Sequence, residues 1–333
     1  MPGCAKNVTD STNFLDAAGT ASSSYTVSAV IKGTEGEKSP AVKVWAQQYL
    51  SIPIQAPSGS YTANDASPGD LDGDGKLDIV LKWDPSNSKD SGAAGTTDPV
   101  YVDGLKMDGT RLWRINIGMN IRAGAHDTQM SVYDFDGDGK AEVAFKTAPG
   151  TKDGTGAFLK TGPAAGADNT KDYRIPRGMV LTGPEWFTVF DGTTGAERAT
   201  IEYPVLYGST PDWGDPISNE LESGTSITKD GGGTLLSCGQ CSSNNSTKST
   251  PTLTADMLGD WREEIIWRET AGGALRLYTT TDVTKRRIYT LMHDPTYRAQ
   301  VNFEQSSYNQ PPHVGFHLGT GMADPPKPDI YVK

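Results

Sequence analysis

The stretch Asp70–Trp83, "DLDGDGKLDIVLKW", decides how the rest of the chain reads. With Asp70 as position 1, carboxylates stand at 1, 3, 5 and 9 (Asp70, Asp72, Asp74, Asp78), Gly75 allows a sharp turn at 6, and the Lys76 carbonyl falls at 7. That alternation of oxygen donors is the spacing of a Ca2+ loop. A helix–loop–helix calcium hand would need Glu at position 12 and helices on both sides. Leu81 stands there instead, inside the β-branched and apolar run "DIVLKW". The loop is therefore expected to feed a strand.

The pattern recurs in "DFDGDGKAEVAFK", where Asp134, Asp136, Asp138, the Lys140 carbonyl and Glu142 repeat the ligand series and Phe145 takes position 12. A third copy, "DMLGDWREEIIWR", keeps Asp256, Asp260 and Glu264 but has Leu258 at position 3 and Trp261 where the turn glycine should be. It is expected to keep the strand-feeding shape and lose the metal. The two intact loops are expected to hold Ca2+ in a structural role, because closed carboxylate-rich loops leave little room for substrate.

Each copy is followed by a pair of β-like segments: "VYVDGLKMDGTRLWRI", "WFTVFDGTTGAERATI" and "LRLYTTTDVTKRRIYTL". The turns Asp108-Gly109-Thr110 and Asp191-Gly192-Thr193 give two of these pairs the look of a hairpin. Loop, inner strand, middle strand, turn and outer strand, repeated along the chain, is how a β-propeller blade reads. Three blades are recognisable in an all-β chain. The spacing from Asp134 to Asp256 is nearly double that from Asp70 to Asp134, the surplus being a Gly/Ala/Thr-rich insertion and a region, 204–249, with little strand pattern. Upstream, "SSSYTVSAVIKGTEGEKSPAVKVWA" alternates like the last hairpin of a small β-sandwich, and "SIPIQAPSGS" looks like a linker. The expected division is a sandwich-like (fibronectin III-like) remnant and linker over 1–57, and an incomplete calcium-binding propeller over 58–333.

The 38 glycines and 21 prolines fit a turn-rich β protein. No apolar run approaches a membrane span or a signal peptide, so an exported form would have lost its leader. The net charge of -11, without a basic stripe, argues against nucleic acid. Cys238 and Cys241 in "CGQC" lack the partners of a zinc site and the βαβ context of a redox motif, leaving a small loop disulfide or two idle thiols.

The motifs "LKWDPSNSKDSG", "NIRAGAHDTQMSVYDFDGDGKAEVAFKTAPGTKDGTG", "WGD", "NNSTKSTPTLTADMLGDWREEIIWR" and "LMHDPTYR…YNQPPH" resemble the rhamnogalacturonan lyases of polysaccharide lyase family 11, over residues 60–215 and about 241–326. The resemblance implies an eight-bladed, calcium-loaded propeller, secreted, that cleaves the rhamnose-galacturonate backbone of pectin (rhamnogalacturonan I) by β-elimination. Eight blades at the spacing seen here would need roughly 480 residues, and three cannot close a ring. The middle blades are therefore expected to be missing, with a deletion junction near 216–240.

β-Elimination on a uronate needs a base for the proton α to the carboxylate and a cation for the charge that develops there, a need that Ca2+, in a catalytic as well as its structural role, or Lys or Arg can meet. The resemblance assigns the base to Lys248 in "NNSTKSTP", and sugar contacts to Asn245, Thr247 and Tyr308. Ser246 replaces the family's usual glycine, which matters if the position needs φ > 0. A further essential arginine is expected in the absent blades. Asn87, on a long loop after an inner strand, and His126, in a family-like stretch, are further candidates for sugar contact. His293, His313 and His317 have no metal-ligand spacing and read as structural. The alternative function is a non-catalytic, calcium-dependent binding propeller of the integrin-like kind.

Overall fold

A computed structural model describes residues 6–9, 13–90, 92–125, 127–203, 222–228, 233–305, 311–318 and 322–330. Near the start, β1 (Ser24–Tyr25) pairs with β4 (Val42–Lys43), and β2 (Ser28–Ile31) forms a hairpin with β3 (Thr34–Lys38). Lys32 (φ 50°) and Gly33 (φ 82°) make its two-residue turn with both φ values positive, the geometry that matches the strand twist. Val27, Ile31 and Val42 in this segment are exposed. β5 (Leu50–Pro53) follows.

The first large sheet has the order β6 (Tyr61–Gly69), β7 (Asp78–Pro85), β8 (Tyr101–Leu105), β9 (Arg111–Asn116), all antiparallel. The second repeats it with β10 (Met130–Tyr133), β11 (Glu142–Thr147), β12 (Trp186–Phe190) and β13 (Glu197–Glu202). A small sheet of β14 (Glu222–Ser223), β15 (Ser226–Thr228) and β16 (Thr234–Ser237) comes next, in a region whose sequence showed little strand pattern. β17 (Cys241–Ser242) and β18 (Leu253–Ala255) both pair with β19 (Glu264–Glu269), which pairs with β20 (Ala274–Tyr278).

Two expectations are corrected here. The segment after Ala274 supplies one strand, not two, for 279–290 contain none. The outer strand of the third sheet is instead β5, registered as Leu275↔Ile52 and Leu277↔Leu50. The proline-marked "linker" therefore begins with a strand. Pro53 did not exclude this, because it ends an edge strand, where a missing N–H is tolerated, and Pro57 lies beyond it. No closed barrel forms among the described residues.

Strand β7 is buried on both faces, which explains why "IVLKW" is continuously apolar apart from its lysine. Val80, Val102, Trp113 and Ile115 pack with Val143, Phe145, Trp186 and Phe190 of the second sheet. Ile79, Leu81 and Trp83 pack with Ile52, Leu253, Ile266 and Leu275 of the third. Each such side chain contributes about 1.5–3 kcal/mol when fully buried. The far face of the third sheet, with Ile265, Trp267 and Tyr278, is covered by Ile227, Leu236 and a Cys238–Cys241 disulfide.

One helix, α1 (Pro295–Phe303), interrupts the β architecture. Asp294 caps it by accepting from the Tyr297 N–H (3.1 Å), and Pro295 opens its first turn, where no N–H is needed. Tyr297 and Val301 then anchor the helix in the core shared by the first and third sheets.

Candidate functional site

The two intact acidic loops have the same internal geometry. Asp70 accepts from the N–H groups of Gly73 (2.8 Å), Asp74 (3.1 Å) and Gly75 (2.8 Å), and Asp134 does the same with Gly137, Asp138 and Gly139. Asp78 accepts from Leu71 N–H and Glu142 from Phe135 N–H, so the ninth position closes each loop from the strand. One carboxylate oxygen each from Asp70, Asp72 and Asp78 lies within 4.8 Å of the others, and Asp134, Asp136 and Glu142 form an equivalent cluster. Asp72 Oδ1 is buried without a hydrogen-bond partner. Three converging hard oxygens and an orphaned acceptor fit a divalent cation such as Ca2+. Asp74 and Asp138 lie in the same loops but outside these clusters, each accepting from the N–H of Lys76 or Lys140. Burial pushes the Asp78 carboxyl up to about 6 and raises Glu142 as well. Lys106 bridges Asp72 and Asp74, while Arg198 pairs with Asp136 and Glu142.

The third loop keeps this shape without the ligand set. Asp256 accepts from Trp261 N–H (3.2 Å) and Glu264 from Leu258 N–H (3.0 Å), while the Arg262 guanidinium pairs with Asp260. Trp261 adopts φ 70° at the position where Gly75 takes 82°. No third carboxylate cluster of metal-binding geometry occurs among the described residues.

The Lys248 loop lies at the other end of the inner strands. β6 starts with Tyr61 opposite Pro85 and ends with Gly69 opposite Asp78, next to the first acidic loop. The pairing of β6 with β7 shifts between Ala63 and Ala66, so Asn64 and Asp65 form a bulge. From Asp65 to Asp70 the strand advances by roughly 15 Å, which separates this site from the acidic loops. Asp65 is fully buried. It accepts from Asn244 Nδ2 (3.1 Å) and, with both oxygens, from Asn245 Nδ2 (3.0 Å each), and Lys82 Nζ stands 4.0 Å away. Burial raises the Asp65 carboxyl, opposed by Lys82 and the two amides. Arg268 donates to Asn244 Oδ1 (2.9 Å) and Ser243 O (3.0 Å).

On this base stands a 3-10 turn, Ser246–Lys248, with Lys248 exposed and its N–H donated to Asn245 O. Asn245 (58°), Ser246 (51°) and Ser249 (54°) all have positive φ, so Ser246 does occupy a position suited to glycine. Asn245 Nδ2 is turned inward onto Asp65 and Thr250 Oγ1 (2.8 Å). Thr247 lies in the same turn. Asn87 is on the loop after β7, its Oδ1 accepting from Asp98 N–H (3.0 Å). Tyr308 and His126 lie outside the described residues.

Sequence reasoning missed Asp65, Lys82, Asp84, Asn244 and Arg268. The available signal was charge inside strand pattern, since Lys82 and Asp84 interrupt "DIVLKWDP". Asn64 Oδ1 and Asp84 Oδ1 are buried acceptors without a partner among the described residues. Such atoms can take hydroxyl donors. Together the site offers a turn-borne amine, a buried lysine, a half-buried arginine and unfilled acceptors, a set suited to a polar, anionic ligand such as an acidic sugar.

Comparison with known proteins agrees with a carbohydrate-active β protein. A family model described as "Rhamnogalacturonan lyase family 11, C-terminal domain" matches residues 49–228 and 225–328, and one described as "Rhamnogalacturonan I lyases beta-sheet domain" matches 4–45. The chain belongs to rhamnogalacturonan lyase family 11. It is similar to the rhamnogalacturonan endolyase YesW of Bacillus subtilis (strain 168), 32% identical over 535 residues that cover 96% of this chain and 85% of the relative. Its similarity to the rhamnogalacturonan exolyase YesX of the same organism is 30% over 557 residues, covering 98% and 90%. Among solved structures, the Bacillus licheniformis rhamnogalacturonan lyase PL11 matches with a TM-score of 0.87 at 33% identity, over 97% of this chain and 91% of that one. The YesW crystal structure also matches with a TM-score of 0.87, at 32% identity and the same coverage.

Proposed function

We propose that this protein is a rhamnogalacturonan lyase that acts by β-elimination, with Lys248 as the base. Lys248 takes the C5 proton of a galacturonate, the electron pair passes into the carboxylate and then forms the C4=C5 bond, and the C4–O4 bond breaks. The departing oxygen takes up a proton from water, leaving an unsaturated uronate and a protonated Lys248 that returns its proton to solvent. The observation that carries this reading is the exposed amine of Lys248 on a turn anchored over a buried polar cluster, in a chain of this family. Asn64 and Asp84 are read as acceptors for sugar hydroxyls, and Asn87, Thr247, His126 and Tyr308 as further contacts. Asn245 is read as a loop anchor whose Oδ1 alone remains for sugar.

The architecture is read as an eight-bladed propeller type from which middle blades are missing. Two observations support this: the first two sheets share one four-stranded antiparallel connectivity, which the five-stranded third repeats through β18, β19 and β20 before β5 completes it, and the family model matches in two pieces meeting at 225–228. Alignments of 535 and 557 positions against a chain of 333 residues point the same way. The deletion junction is expected within the propeller, near 216–240, of which 216–221 and 229–232 lie outside the described residues, while the sandwich-like remnant (1–57) and the propeller (58–333) otherwise follow the family. Ca2+ in the two intact loops ties strand ends together, with Asp70, Asp72 and Asp78, and Asp134, Asp136 and Glu142, as carboxylate ligands. Asp74, Asp138 and the Lys76 and Lys140 carbonyls complete each set. The protein acts outside the cell, on rhamnogalacturonan I.

Turnover of this short chain is expected to be very weak, because charge stabilisation is usually the largest catalytic contribution and the arginine expected from the family lies in the missing blades. The test is ultraviolet absorbance of the unsaturated product on rhamnogalacturonan against polygalacturonate, with Lys248→Ala as control. Activity on polygalacturonate alone overturns the substrate class. Product from Lys248→Ala at the parent rate overturns the base. Calcium-dependent rhamnogalacturonan binding without any product favours the non-catalytic reading.

A further inference from the structure

Asp65 has no place in the chemistry just described, yet the fold invests heavily in it. It sits in the β6 bulge, has no exposed surface, and spends both carboxylate oxygens on the amides of a loop distant in sequence. A buried carboxylate with raised proton affinity is costly to keep, so its partners should be ones the structure needs. Those partners are Asn244 and Asn245, the residues from which the Ser246–Lys248 turn rises. Three of the five residues Asn245–Ser249 have positive φ without being glycine. Such a backbone persists only where its surroundings over-determine it. Around this turn the hold comes from three contacts. Asp65 grips both asparagines, the Asn244 N–H donates to Thr250 O (2.7 Å), and Arg268 fixes the other face of Asn244.

We propose that Asp65 is a positioning residue for the lyase reaction, fixing the turn that carries Lys248 through the side chain of Asn245. This rests on Lys248 being the base. The bulge is what makes the contact possible, because an in-register β6 would leave Asp65 bonded within its own sheet instead of reaching across to the third. The base is thereby carried by an element of one sheet and aimed from another, so its direction depends on how the first and third sheets are docked.

The test uses the full chain with calcium, comparing parent, Asp65→Asn, Asn245→Ala and the double variant. Asp65→Asn keeps the shape but replaces one of the two accepting oxygens by a donor that faces the asparagine amides. Each single variant should speed amide exchange at Lys248 and Ser249 by about tenfold or more, while amides of β7 and β19 keep their protection. Single-turnover formation of the unsaturated product should fall on the order of 100-fold, with oligosaccharide KM changed by less than about threefold. The double variant should lose much less than the product of the two single losses, because both changes cut the Asp65–Asn245 link that they share. Additive losses, or an exchange increase spread through β7 and β19, would assign Asp65 to general folding and overturn the proposal. If Asp65→Asn does not fold, Asn245→Ala cuts the same contact from the loop side, and unchanged exchange at Lys248 there also overturns it. A parent chain that forms no product agrees with the loss of the middle blades, and the exchange measurements then decide alone whether Asp65 holds the turn, unchanged exchange at Lys248 overturning the proposal.

Discussion

Replacing Ile52 by alanine probes the least expected feature of the fold, the completion of the third sheet by a strand from ahead of the first. Ile52 has no exposed surface, pairs with Leu275, and lies in one core with Leu105, Ile266 and Leu277. Truncating such a side chain removes its transfer energy and leaves a cavity, which together cost about 2–5 kcal/mol. The value should fall in the upper half of that range, because β20 beside Ile52 and the first-sheet side chains packed against it are held in their own sheets and cannot collapse into the gap. Ile31→Ala is the control: Ile31 is 69% exposed in the upstream hairpin, and its loss should stay within about 0.5 kcal/mol. Urea unfolding followed by tryptophan fluorescence should show a lower midpoint at unchanged slope for Ile52→Ala alone. Limited truncation gives a second reading, since removing residues 1–49 should be tolerated far better than removing 1–56. An Ile52→Ala loss below about 1 kcal/mol, or equal effects of the two truncations, would refute the assignment of β5 to this sheet.

Calcium at about 100 times its dissociation constant should add about 2.7 kcal/mol per occupied site, so chelator should lower the melting temperature. Asp72→Ala and Asp136→Ala should each abolish one site in calorimetry, whereas Asp256→Ala should destabilise equally with calcium or chelator, because Asp256 is bonded to Trp261, Thr290 and Leu291. Glu264 gives the pH dependence. Burial raises its carboxyl from 4.5 to about 7, so the stability it contributes is complete below 4.5 and is lost as pH rises through about 7. Glu264→Gln should flatten that decline in urea midpoints across the same window, and an unchanged slope would contradict the shift. Ser246→Gly should relieve a left-handed serine (φ 51°), raising stability by up to about 1 kcal/mol, and should not reduce lyase activity. A loss of stability there would mean that Ser246 makes an interaction outweighing its backbone strain.

The sequence by itself determined the parts whose physics is local. Oxygen-donor spacing marks the loops at Asp70 and Asp134, and the losses at Leu258 and Trp261 mark the third as a relic, because ligand geometry is set within nine residues. The hairpin turn at Asp108-Gly109-Thr110 is equally local, with Gly109 at φ 86°. The α1 helix could have been read from its Asp-Pro start, but nine residues in a β-rich chain give a weak periodic signal. Only the tertiary structure decided what pairs across long separations. Nothing local in "LSIP" says that it will lie beside Ala274–Tyr278, since an edge strand is chosen by the vacancy it fills. Likewise Asp65 and Asn245 are 180 residues apart, and their contact exists because two sheets dock face to face around a bulge. The candidate base was therefore legible as a residue, whereas the carboxylate that holds its turn became visible only once the sheets were packed.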